Sequence, residues 1–312
     1  MQILIYVNTK QDFKKNNTLG GIEILNYDLF NYLKKKHKLT LASNLNNRIK
    51  KNIWDIVISS NDAKIFNFVK AKRKILWLHN KLQIEKAFRK KQLIPILFNK
   101  IEAVFVSEYL KKNTSSFYNF EKSLVIPNFL PKICERTKIN NSEFITKKNK
   151  FVWSVQRKKG LDNFIDIWIK KINTRYNDVE FHIFGLNNIK KNFKKYNIFF
   201  HGRVPRYKLL KFYKNSIGMI CLGYDETFCL NALEGMKMGL PIFSLGKTNL
   251  KTLVKNNLNG FKVKKLEQID KPIKKYLKLN NRNKKKIMKS SIAFASQYDS
   301  KNILKQWDKL IY

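Results

Sequence analysis

Short apolar runs alternate with longer amphipathic or basic stretches along the chain, and this alternation restricts the fold more than any other feature. Residues 3–7, 39–42, 56–59, 75–79, 104–106 and 124–126 read as buried strands, with helical stretches such as 22–35 and 108–118 between them. A second series runs through 151–155, 180–184, 198–200, 217–222, 241–244 and 260–263, with helices expected over 160–171, 206–215 and 228–238. Strands that alternate with helices in this way build parallel sheets covered by helices. Residues 128–150 are polar and weakly periodic, with Pro127 and Pro131 near their start, and read as a linker between two α/β domains. The tail 283–312 reads as helical, and Ile303, Leu304, Trp307 and Leu310 form an apolar stripe on it.

Composition narrows the classes of function. Hydrophobic residues make up 44% of the 312, enough for packed cores, which excludes a disordered chain. Lys and Arg number 64 against 22 Asp and Glu, for a formal net charge of +42. Only nine of the 64 are Arg; the Lys, Asn and Ile excess is what an AT-rich coding sequence favours. The functional counterpart is attraction to polyanions: nucleotide phosphates, anionic lipid or nucleic acid. No helix-turn-helix, zinc or stacking motif points to specific nucleic-acid recognition. Three cysteines without CxxC spacing read as reduced thiols, neither a disulfide framework nor a zinc site. The N-terminus reads as a strand with no signal peptide, and no apolar run approaches the ~18 residues of a membrane span. The expectation is a cytoplasmic protein, soluble or peripheral on the inner face of the cytoplasmic membrane.

Chemistry concentrates in the segment YDETFCLNALEGMKMGLPI, residues 224–242. Leu230, Leu233, Met236 and Met238 give a helix with one buried stripe. Glu226 precedes that helix and Glu234 lies about two turns inside it. Ionised carboxylates accept several hydrogen bonds each, so two of them suit a hydroxyl-rich ligand. The plainer reading is a helix-entry acid favoured by the dipole and a surface acid.

This segment resembles the E-x7-E signature of the family 4 glycosyltransferases, retaining enzymes with the GT-B fold. The resemblance extends over nearly the whole chain. It implies two Rossmann-like domains facing across a cleft, with the last helix returning to the N-terminal domain. The expected boundaries are 1–135 for an acceptor-side domain, 136–295 for a nucleotide-sugar donor domain and 296–312 for the returning helix. In such enzymes the first glutamate, here Glu226, contacts the transferred sugar, and the second, Glu234, holds the ribose hydroxyls. Backbone N–H groups of Phe228, Cys229 and Leu230 would face the donor. This chain has Thr227 and Cys229 where many relatives have Gly.

Other positions take roles from the same resemblance. Gly20 and Gly21 match the glycine-rich loop over the donor, where a helix N-terminus can receive an anion. His79 ends a strand and points toward the crevice or merely caps the strand end; the resemblance puts it near the donor sugar. Lys159, Gly160 and Leu161 match the family's basic loop, but its early Arg falls on Ser154, leaving Arg157 or Lys158 as the second phosphate ligand. Arg203 and Val204, after Gly202, are expected on the base side of the nucleotide. No D-x-D occurs, which fits a metal-independent mechanism without a cofactor, the nucleotide-diphosphate sugar being a substrate.

The expected activity is retaining transfer of a sugar from such a donor to a hydroxyl of a cell-envelope glycan or lipid-linked acceptor. The alternative is a non-catalytic GT-B-like or polyanion-binding protein. Residues 81–100 mix Leu82, Ile84, Phe88, Leu93, Ile96 and Phe98 with cations. They read as an ordinary surface helix broken at Pro95 or as an interfacial segment meeting an anionic membrane surface.

Overall fold

The computed structural model describes residues 1–13, 19–137, 139, 149–154, 159–186 and 193–312. They form two compact units, Met1–Pro131 with Ser300–Tyr312, and Lys132–Asp299. The sequence reading put these borders after residues 135 and 295.

Unit 1 begins with β1 (Gln2–Val7), α1 (Gly21–Leu33), β2 (Lys38–Ala42), α2 (Asn47–Lys51), β3 (Ile53–Ser60) and β4 (Lys70–Leu78). It continues with α3 (Ile84–Arg89), α4 (Leu93–Phe98), β5 (Ile101–Phe105), α5 (Glu108–Lys112) and β6 (Lys122–Val125). The strands pair in parallel in the order β2-β1-β3-β4-β5-β6. β1 and β5 are buried on both faces, as central strands of a covered parallel sheet must be. α5 is shorter than the expected 108–118. Ser107 caps its start, its Oγ accepting from the Leu110 N–H at 3.0 Å. Beyond Leu110 the residues Lys-Lys-Asn-Thr-Ser-Ser offer no apolar face to pack.

Unit 2 opens with α6 (Lys132–Arg136), inside the stretch read as linker, part of which lies outside the described residues. β7 (Lys150–Trp153), α7 (Leu161–Ile167), β8 (Glu180–Ile183), β9 (Ile198–Phe200) and α8 (Arg206–Lys214) follow. Next come β10 (Gly218–Ile220), α9 (Leu230–Lys237), β11 (Ile242–Ser244), α10 (Leu250–Leu253) and β12 (Gly260–Lys262). α11 (Asp270–Leu277) and α12 (Asn281–Ser296) complete the unit. Its sheet is also parallel, in the order β12-β11-β10-β7-β8-β9. The core is aromatic: Trp168 stacks on Phe181 with centroids 4.9 Å apart, and Phe164 meets Phe181 edge-on at 5.1 Å. Such pairs add about 0.5–1.5 kcal/mol beyond their buried area.

The tail is not one helix. α12 belongs to unit 2, while α13 (Ser300–Ile311) packs in unit 1. All four residues of its expected stripe are buried, and Trp307 meets Trp77 of β4 edge-on at 4.7 Å. Arg73 closes the end of α13, donating to the Leu310 and Ile311 carbonyls at 2.7 and 3.1 Å while its other N–H groups hold Glu102. The cation thus satisfies orphan carbonyls at the negative end of the helix dipole.

Candidate active site

In unit 2 the chain runs outward from β7 to β9, then returns to β10 on the other side of β7. The junction of β7 and β10 is therefore the topological switch point, outside whose carboxyl strand ends open α/β sheets bind ligands. The loops leaving these two strands carry several left-handed backbone positions. Gly160 precedes α7 with φ +95, and Gly223, Asp225 and Cys229 all have positive φ. A Cβ on Gly160 would lie 2.7 Å from Cε2 of Tyr224, so glycine answers both the left-handed backbone and the close approach of the ring.

Across this junction Lys159 Nζ stands 2.9 Å from Glu226 Oε1 and donates to the Asp225 carbonyl at 3.1 Å. Both side chains keep a small exposed fraction, 15% and 14%. Two residues singled out from separate sequence segments thus meet in one ion pair. The Glu226 loop is held from behind: Asn249 donates Nδ2–H to the Phe228 carbonyl at 3.0 Å, and Thr248 Oγ1–H bonds the Gly223 carbonyl at 2.9 Å.

The second glutamate is not a surface acid. Glu234 is fully buried in α9, and its Oε1 accepts from Arg206 Nη1 in the first turn of α8. Its Oε2 is buried with no hydrogen-bond partner among the described residues. Burial raises the Glu234 pKa above the ordinary carboxylate range, and Arg206 opposes that rise. Arg206 was not singled out from sequence. The available signal was the need of any buried carboxylate for a cation, together with an Arg opening the next helix.

α9 also starts later than the expected residue 228, because Cys229 takes φ 71, ψ 65 and delays the helical run to Leu230. Phe228 and Cys229 are buried, and a hydrogen bond to Cys221, burial and the negative charge of Glu226 push the Cys229 thiol well up. The earliest backbone bonds of α9 run from the Ala232 and Leu233 N–H groups to the Cys229 carbonyl, at 3.1 and 3.3 Å, and the turn that precedes them is the positive end of the helix. Ser154, standing where an early Arg was looked for, binds Tyr213 through its hydroxyl, and its carbonyl accepts from Asn231 Nδ2 at 2.6 Å. Its place is structural, tying β7 to α8 and α9. Arg157 and Lys158 lie outside the described residues. Arg203 is exposed and Val204 half-buried, in the loop between β9 and α8.

In unit 1, Gly20 caps α1, its N–H bonded to Gln11 Oε1 at 2.7 Å, and Gly21 starts the helix. A Cβ on Gly20 would meet Glu23 Oε2 at 2.5 Å. The first turn of α1, where an incoming anion was expected, thus holds a carboxylate of the chain itself. His79, just past β4, is 5% exposed with its ring 4.4 Å from that of Trp77. Burial drives its pKa down to about 3, so the imidazole is neutral at physiological pH.

Two doubly wound units with parallel sheets, the second carrying charged side chains at its switch point, make the GT-B architecture. The chain belongs to the glycosyl transferases group 1 family, whose model matches residues 135–291, half of its length. Solved structures reproduce the fold over both units. Sucrose-phosphate synthase from Thermosynechococcus elongatus superposes with a TM-score of 0.74 at 13% identity, covering 99% of this chain and 98% of that one. HepE of Anabaena, in complex with UDP, gives 0.72 at 15% identity, over 100% and 99%. TarM of S. aureus gives 0.64 at 19% identity over 82% of this chain, which spans 54% of that protein. Among proteins of curated function none matches the sequence.

Proposed function

We propose that this protein is a retaining, metal-independent glycosyltransferase that takes a sugar from a UDP-sugar and transfers it to a hydroxyl of a cell-envelope glycan or lipid-linked acceptor. The observation that carries the reading is the Lys159–Glu226 pair at the β7/β10 switch point, beside the positive end of α9. The choice of UDP follows the related structures, since HepE was solved with UDP and with UDP-glucose, and TarM with UDP.

A diphosphate arriving at the switch point competes with Glu226 for Lys159. The ammonium moves to the phosphate oxygens, where negative charge grows as the bond to the sugar breaks. Glu226 is released to accept sugar hydroxyls. Glu234 Oε2, a buried acceptor without a partner among the described residues, is assigned to the ribose hydroxyls. Transfer with retention breaks the bond from the anomeric carbon to the phosphate oxygen and forms the new one on the same face. The acceptor proton passes to the leaving phosphate, so no protein base is required.

Turnover at saturating UDP-sugar tests the assignment. Removing one well-placed charge donor costs about 10²–10³-fold in kcat, which is the loss expected for Lys159→Ala. Glu226→Ala is expected to fall as well, and wild-type activity to survive EDTA. Unchanged turnover in both variants sinks the proposal. Absence of any UDP-dependent thermal shift, with tight and steeply salt-dependent nucleic-acid binding, supports the polyanion-binding alternative instead.

A further inference from the structure

Two short helices of unit 1 turn apolar side chains outward. On α3, Ile84 is 41% exposed and Phe88 71%; on α4, Ile94 is 66%, Leu97 40% and Phe98 82%. Spacings of three and four put each set on a single helical face. The inner faces are small: Ala87 on α3, Pro95 and Ile96 on α4. Pro95 does not break the segment, because it lies in the first turn of α4, where a missing N–H costs nothing. The break comes at Lys91, whose φ of 54 turns the chain from one helix to the next. Twelve large apolar side chains are exposed on the described molecule, and five of them cluster here, which marks a patch and not scatter.

Charge on this face has one sign. Lys86, Arg89, Lys90, Lys91 and Lys100 are exposed, and Glu85 is the single acid from 84 to 100, for a local net charge of +4 (five minus one). None of the five cations forms an ion pair among the described residues. Lysine is depleted in protein–protein interfaces relative to the rest of the surface, so four lysines and an arginine set among bare Phe, Ile and Leu favour a lipid over a protein partner. The same composition is what an interfacial helix uses, with apolar groups entering the headgroup–acyl boundary and cations on the lipid phosphates.

We infer that this face docks unit 1 on an anionic lipid bilayer, with Phe88, Ile94 and Phe98 inserted and Lys86, Arg89, Lys90, Lys91 and Lys100 on the headgroups. The overall charge of +42 attracts the whole protein to such a surface, and the apolar cluster selects the face that meets it. Docking is independent of the donor chemistry, so UDP-sugar turnover with a water-soluble acceptor is expected to be the same with and without the patch.

The test sediments the full-length protein with phosphatidylcholine vesicles and with phosphatidylcholine–phosphatidylglycerol vesicles at physiological ionic strength. Binding is expected only with the anionic vesicles. Phe88→Ser/Phe98→Ser is expected to weaken it at least about tenfold, since each ring removes buried apolar area from the membrane. Its melting temperature should be unchanged, because both rings are already exposed. Lys286→Gln/Lys289→Gln, which removes the same kind of charge from α12 in unit 2, is expected to stay within about twofold. Trp at position 98 (Phe98→Trp) should shift its emission to the blue on anionic vesicles. Undiminished sedimentation of the Phe double variant overturns the inference. An equal loss in the α12 variant overturns it too, as does a Phe double variant that dissociates an oligomer without changing vesicle binding.

Discussion

Arg206, in the first turn of α8, donates Nη1–H to the carboxylate of Glu234, which α9 carries into the fully buried interior of unit 2. The pair makes the second glutamate of the E-x7-E segment a buried ion, and its cost falls on whichever partner is left alone. Removing one member of a buried pair typically costs about 3–5 kcal/mol, because the other charge stays desolvated. Arg206→Met is therefore expected to lower the urea midpoint by a corresponding amount. Arg206→Met/Glu234→Leu should recover most of it while losing UDP binding.

The same pair predicts how that destabilisation depends on pH. An acid whose native pKa lies above its unfolded value holds a proton more tightly when folded, so its stability contribution falls as pH rises out of the unfolded carboxylate range. Arg206 opposes the rise, and taking it away raises the Glu234 pKa further. The stability deficit of Arg206→Met should therefore shrink as pH falls toward the carboxylate range and be largest at neutral pH. A deficit that is flat with pH would show that Glu234 is not the affected group.

Gly160→Ala should be poorly tolerated for two separable reasons. Its φ of +95 costs a side-chain-bearing residue about 1–2 kcal/mol, and the new methyl would meet the Tyr224 ring at 2.7 Å. Gly160→Ala/Tyr224→Ala should relieve the contact and leave the backbone part. Denaturation of the single and double variants measures the two contributions.

Much of this could be read from residues alone. The apolar runs located the strands because parallel strands covered on both faces have no polar side to blur them, as β1 and β5 illustrate. Lys159 and Glu226 were legible because each sits in a short pattern with local meaning. What escaped depended on contacts distant in sequence. Arg206 reaches Glu234 across 28 positions, and nothing local to Glu234 announces that it is buried. The break between α12 and α13 carries no Gly or Pro, so the border expected after residue 295 came from the resemblance alone, and its place after Asp299 shows only in the division into units. His79 read as a group facing a crevice or as one capping a strand end. Its burial beside Trp77, itself covered by Trp307 of α13, could not be seen from KILWLH.

Cys229 stands at a left-handed position, φ 71 and ψ 65, which glycine adopts without the clash a Cβ brings. Cys229→Gly and Cys229→Ala remove the same thiol, so their difference isolates the backbone. Glycine is expected to be the more stable by about 1 kcal/mol, the reverse of the order found in helix interiors. Chemical denaturation of the two variants decides the matter, and Ala equal to or above Gly would mean that the loop relaxes out of its left-handed geometry.

His79 supplies an acid-side slope. Its native pKa of about 3 lies below the unfolded value of 6.5, so the unfolded chain binds the extra proton as pH falls through that window. Stability is fully present above pH 6.5 and is lost as pH drops toward 3, by an amount on the order of 3–5 kcal/mol for a fully buried ring. His79→Phe keeps an aromatic ring beside Trp77 and removes the titration. The variant is expected to lose less stability than wild type between pH 6.5 and 4, with little difference at pH 8, in thermal melts followed by circular dichroism. Parallel curves for the two proteins across that range would place the imidazole in contact with water and not in the interior of unit 1.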